Sequence, residues 1–428
     1  MDPTERGWIA SFIEARIDNS ILEKNEALSF EKNLYKRLQP TGIIYGHPLQ
    51  LPNNFIETKD FPIKERMEVI LLESLFSANL FHQQNNKPSE SQLNKIVDDL
   101  NIFYNKLYPH LSKTSFFEKK AKNNVESLEK IIRKRVEVKK EWNIDFWRGF
   151  FQNILLFIDV IVYLEYLKSD RKLSSEDVQK INNDLQWNII HLLSVIIKLS
   201  NKEATSDNNY FHYFIDSTSF SKEEKEKANS SFNDSNIEKV YDFLEKDNWI
   251  IRKYFLELSL LSIWADHSVN LSEKKFFDEL SIELKLNTTE IAASSLAIEA
   301  FVMNNWTKIH YLQSKQNYLV LSKRLTQRMK LISHKYVKEI KQEIEEDKEL
   351  IHLLGVAQRR PLSIEEKNKV REQLIDILKT IPTFLILALP GSFLTVPVLM
   401  KILPKEVLPS SFDPNMITQS RRGGIVEG

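Results

Sequence analysis

Nine histidines are the side chains best suited to proton transfer or metal ligation near neutral pH. They lie far apart, at positions 47, 82, 110, 191, 212, 267, 310, 334 and 352, and none forms an H-E-x-x-H or H-x3-H pair. His212 and Asp216 stand one helical turn apart, but no third group completes a catalytic set around them. His191 lies in the apolar run 187–193 and is read as a core histidine. The chain has no cysteine, which excludes thiolate nucleophiles, disulfides, Fe–S clusters and cysteine zinc sites. It has 9 glycines in 428 residues, and the only adjacent pair is Gly423-Gly424, so a phosphate-cradling glycine loop is excluded. No EF-hand loop and no serine nucleophile elbow occurs. The sequence thus predicts no enzyme, no cofactor, no bound metal and no small-molecule substrate.

Two sets of side chains are suited to binding. The first follows Trp306, where Leu321, Leu325, Met329, Ile332, Tyr336, Ile340 and Ile344 advance by three or four residues as one helical stripe. The other faces are first basic, with Lys323, Arg324, Arg328, Lys330, Lys335, Lys338 and Lys341, and then acidic, from Glu343 to Glu349. One reading is a solvated surface laced with i,i+4 ion pairs. The other is a strip for RNA phosphates or anionic lipid, although it lacks the interleaved aromatics of single-strand binders. Lys323, Arg324, Arg328, Lys335 and Lys338 are the candidate phosphate contacts. The second set is the loop Trp264 to Glu273, in which Asn270 and Glu273 have capping-box spacing. Asp266 and Glu273 supply too few oxygens for calcium.

Long helices must carry these residues. No proline lies between Pro109 and Pro361, and only Gly149 and Gly355 occur there, whereas sheet folds need Gly or Pro at many turns. The expected fold class is all-α, a multidomain helical protein. Helices are predicted over 8–38, 64–84, 90–107, 114–140, 143–168, 174–200, 221–245 and, as one or two elements, 306–354. Residues 41–48 break the first of these as a short hairpin or extended arm. The expected organisation is an irregular arm with one helix (1–65), a helical domain (66–236), a second helical module (237–305) and a C-terminal part (306–428). Lys plus Arg and Asp plus Glu both number 59, so net charge exerts no global pull on nucleic acid or lipid. The first residues lack the apolar core of a signal peptide, which places the start of the chain in the cytoplasm.

The most apolar stretch is Thr380 to Met400, which has no charged residue. As one helix it would reach about 32 Å, close to a bilayer core. Pro382, Pro390 and Pro397 punctuate it, with Gly391 beside the second. The expectation is a proline-broken membrane-length segment, and the alternative is a buried hairpin turning at Pro390-Gly391.

Two resemblances attach to these residues. Ala265, Asp266, Val269, Asn270 and Glu273, with Leu284-Lys285-Leu286 following, resemble the TerB-like helical domain, His267 standing where that family has glycine. Ile381-Pro382, Pro390, Pro397, Lys401-Ile402-Leu403-Pro404 and Leu408-Pro409-Ser410-Ser411-Phe412 resemble the LETM family of membrane proteins, closely over about 363–413. The motif residues are Pro382, Pro390, Gly391, Pro397, Lys401, Pro404, Leu408, Pro409, Ser410 and Phe412. The resemblance implies a non-enzymatic, membrane-associated scaffold in the inner (cytoplasmic) membrane, with the bulk of the chain in the cytoplasm. Its implied partners are the membrane, a ribosome met through the basic strip, and a second copy in a homo-oligomer. The alternative it implies is a cation–proton antiporter, or a subunit of one, serving ion homeostasis. Phe393 stands where the family's membrane segment has an acidic residue, and proton-coupled transport normally needs one.

Overall fold

The computed structural model describes residues 1–18, 25–26, 28–49, 51–52, 55–58, 60–85, 87–112, 121–136, 153–199, 211–212, 214–234, 237–245, 249–265, 271–305, 315–380 and 393–408. Every regular element among them is an α-helix or a 3-10 turn. The chain divides into two compact units, Met1–Leu286 and Asn287–Gly428.

The first unit contains α1 (Trp8–Asp18), α2 (Phe30–Leu38), α3 (Ile63–His82), α4 (Glu90–Leu107), α5 (Pro109–Ser112), α6 (Asn124–Arg135), α7 (Leu156–Lys168), α8 (Ser175–Leu199), α9 (Lys222–Ser230), α10 (Ile237–Glu245), α11 (Trp249–Ala265) and α12 (Leu271–Glu283). α3 is the centre: every residue from Met67 to Phe81 is buried. A helix buried all round is a core helix, and α3 packs against α2, α4, α6 and α7. Capping boxes start α4 (Ser89 with Gln92) and α9 (Ser221 with Glu224). Each satisfies amide groups that the first turn leaves without partners.

Three buried carboxylates tie distant helices of this unit together. Glu73 on α3 meets Arg16 at 3.1 Å and Arg37 at 2.9 Å. Asp159 on α7 takes Arg135 in a two-pronged pair at 2.8 and 2.9 Å and accepts from the Tyr104 hydroxyl at 3.1 Å. Glu257 on α11 accepts from Gln39 at 2.7 Å and from Tyr45 at 2.8 Å. The first and third fix the chain around α2 in place.

Residues 41–48 form neither a hairpin nor an arm. Two 3-10 turns, Gln39–Thr41 and Ile43–Tyr45, end at Gly42 and Gly46, which have φ of +81° and +66°. A side chain at Gly46 would run into the backbone of Asn153 and Ile154, so glycine serves here both for its φ and for the close approach.

The second unit contains α13 (Thr288–Asn304), α14 (Lys315–Ser333), α15 (Val337–Glu346), α16 (Lys348–Ala357), α17 (Ile364–Thr380) and α18 (Val396–Ile402). α14 packs on α13 and α18, and α17 packs on α15, α16 and α18. Asn287 and Glu290 complete a capping box at the start of α13.

The expectation of a membrane-length segment is corrected here. Among the described residues no helix is long and apolar enough to cross a membrane. α17 ends at Thr380, and α18 is only 7 residues long. Pro397 lies in the first turn of α18, where its missing N–H was an unpaired group in any case. Proline therefore starts a short helix here instead of interrupting a long one. Val396, Leu399, Met400 and Ile402 of α18 are buried within the unit. Pro382, Pro390 and Gly391 lie outside the described residues. With the span fall the inner-membrane placement, the membrane as partner, the membrane-associated scaffold and the antiporter. No contact among the described residues bears on the ribosome or on a second copy.

Candidate nucleic-acid interface

α14 is built as the sequence stripe requires. Leu321, Leu325, Met329 and Ile332 are buried, and Ile340 and Ile344 continue the buried face on α15. Tyr336 is half-buried, in the 3-10 turn His334–Tyr336 that joins the two helices. The outward face carries Lys323, Arg324, Gln327, Lys330, His334, Lys335 and Lys338, all exposed and mostly three or four residues apart. Exposed Leu319, Val320 and Leu331 lie among them.

The five candidate contacts are not equivalent. Arg328 is half-exposed, and its Nε lies 3.0–3.1 Å from the two carboxylate oxygens of buried Glu299 on α13. It fastens α14 to α13. Burial pushes the Glu299 carboxyl above the usual carboxylate range, and Arg328 pulls part of that shift back. Lys335 donates to the Thr289 hydroxyl at 2.7 Å while staying exposed. Arg324 adds positive charge near Glu299. Lys323 and Lys338 form no ion pair among the described residues. Lys330 shares their face and is likewise exposed, and sequence reasoning left it out of the candidate set although its place seven residues after Lys323, two helical turns on, puts it on that face.

The proline motif lies behind this face. The Ser333 hydroxyl at the end of α14 donates to the Ile402 carbonyl at 2.5 Å. Pro404 and Leu408 are buried, Lys401 is exposed, and the 3-10 turn Lys405–Val407 packs on α15. Pro409, Ser410 and Phe412 lie outside the described residues. α17 starts with Ser363, whose hydroxyl accepts the Glu366 amide at 3.1 Å, while Glu366 accepts the Ser363 amide at 2.7 Å. Arg360 grips the same carboxylate with two bonds, at 2.8 and 2.6 Å. These bonds hold the Glu366 carboxyl down at about 2, the Arg360 bond contributing most. Lys369 and Gln373 reach Glu349 at 2.9 and 3.0 Å, which joins α17 to α16. Arg371 donates to the Leu394 carbonyl at 2.7 Å.

Elsewhere, His212 hydrogen-bonds Asn229 at 2.5 Å, and His191 is half-buried beside Trp187. Among the described residues no group of three His, Asp or Glu side chains could hold a metal. The loop 266–270 and the side chain of Glu273 lie outside the described residues.

The second unit is helical, with a basic outward face on α14 and α15 and a proline-punctuated segment packed behind it. Residues 362–423 match the family model described as LETM1-like, RBD, and the chain carries a LETM1-like RBD domain there. No curated protein matches the chain. No solved structure matches it either.

Proposed function

We propose that the protein is a non-catalytic binding protein of LETM-like character, whose second unit docks on structured RNA through the outward face of α14 and the start of α15. One observation carries this: Lys323, Arg324, Lys330, Lys335 and Lys338 share an exposed face on α14 and the start of α15, helices that pack on α18 and on the turn Lys405–Val407 within the LETM1-like residues 362–423. Ammonium groups on a rigid helix displace counterions from phosphates without reading bases, which suits a folded RNA surface. Neither a lipid bilayer nor ion transport enters the proposal.

The test is binding of the full chain to a fluorescent ribosomal RNA fragment across a salt series. Five phosphate contacts predict a log–log slope of about −3.5 to −4.5. Affinity independent of salt, or no binding at 50 mM salt, would sink the proposal.

A further inference from the structure

The segment Met1 to Asp18 is fastened to α6 by charged groups. Arg133 donates from Nη2 to the Pro3 carbonyl at 2.8 Å. Glu129 accepts the Gly7 amide on one oxygen and the Ile9 amide on the other, both at 3.0 Å. Arg6 pairs with Glu126. Closure buries Trp8, Ile9, Phe12 and Ile13.

Glu68 on α3 shares this machinery. It is buried, and its Oε2 accepts no hydrogen bond among the described residues. Arg133 Nε lies 4.0 Å from that oxygen, so one guanidinium serves both the Pro3 carbonyl and Glu68. Glu129, which holds α1, adds negative charge, as does Glu65, while Lys64 adds positive charge. Arg66, two residues before Glu68 on α3, is half-buried, and its Nε has no hydrogen-bond partner among the described residues. Other charged groups around α3 have partners of their own: Glu73 takes Arg37 and also Arg16, which ties the far end of the strap to α3, Asp159 meets Arg135, Asp98 meets Asn124, and Asp99 meets Arg171. A buried carboxylate with one distant cation favours its neutral form.

We propose that residues 1–18 form a proton-controlled strap, closed on α6 while Glu68 keeps its proton and loosened when Glu68 ionises. Burial pushes the Glu68 carboxyl up from 4.5 to about 7 in the closed form, with Arg133 offsetting part of the rise. Lifting the strap frees Arg133 from the Pro3 carbonyl to approach Glu68 Oε2, and the affinity of Glu68 for the proton falls back toward the ordinary value. Closure therefore takes up a proton. It is strongest below 4.5, weakens as pH rises toward 7, by at most about tenfold per pH unit, and is flat above that. Release uncovers the apolar face of α1.

Hydrogen exchange on the full chain tests this, with intrinsic rates corrected, at pH 5.5 and 8.0. Protection of peptides within 1–18 should drop at least tenfold at the higher pH, while peptides from α8 keep theirs. Glu68→Gln should keep the strap protected at both values. The proposal is overturned if wild-type protection does not change, if all helices lose protection equally, or if Glu68→Gln retains the drop.

Discussion

Two arginines separate a structural charge from a binding charge. Arg135 is the only cation on Asp159 among the described residues, and that carboxylate is fully buried. Arg135→Ala leaves it with tyrosine hydroxyls alone, and the loss should be about 3–5 kcal/mol, read as a lower urea midpoint for the first unit. Arg328 is more exposed, so its pair with Glu299 is partly screened by water. Arg328→Ala should cost about 1–3 kcal/mol in the second unit, whereas Lys323→Ala should stay within about 0.5 kcal/mol. If Arg328→Ala left stability unchanged and weakened RNA binding as much as Lys323→Ala does, its assignment as a fastener would be wrong. The sequence showed Arg328 and its basic neighbours as one set. Their difference depends on a glutamate 29 residues earlier, and no local spacing announces that contact.

Elements were readable where their cause was local. The apolar stripe from Leu321 to Ile344 predicted the buried faces of α14 and α15, because periodicity follows from helix geometry alone. The one or two helices expected over 306–354 are three among the described residues, divided by the 3-10 turn His334–Tyr336 and a cap at Asp347, without proline or glycine to mark either break. The need for Gly46 went unread because it arises from the chain at Asn153 and Ile154, far off in the sequence. Gly46→Ala should therefore cost about 2–4 kcal/mol, from positive φ together with overpacking, in thermal unfolding of the first unit. Glu366 offers an acid test of α17. Its carboxyl titrates at about 2 in the fold against 4.5 when free, so the clamp contributes fully above 4.5 and is lost as pH falls toward 2. Exchange protection of the first turn of α17 should fall over that window in the wild type. Glu366→Gln should show low protection and no such pH dependence.

At the scale of the molecule, equal numbers of positive and negative residues leave no net field to attract a polyanion. Length counting over Thr380 to Met400 suggested a membrane, because a count does not register that Pro397 begins a helix. The family match to 362–423 stands beside that correction. Any RNA binding must then come from a local patch, and its salt dependence should report that patch alone. The double substitution Lys323→Ala with Arg324→Ala should lower the magnitude of the slope by about 2. Removing Lys172, which is 79% exposed in the first unit, changes net charge too but should leave the slope as it was. Equal effects from the two substitutions would mean that overall charge drives the association, and α14 would lose its assignment as the RNA-facing helix.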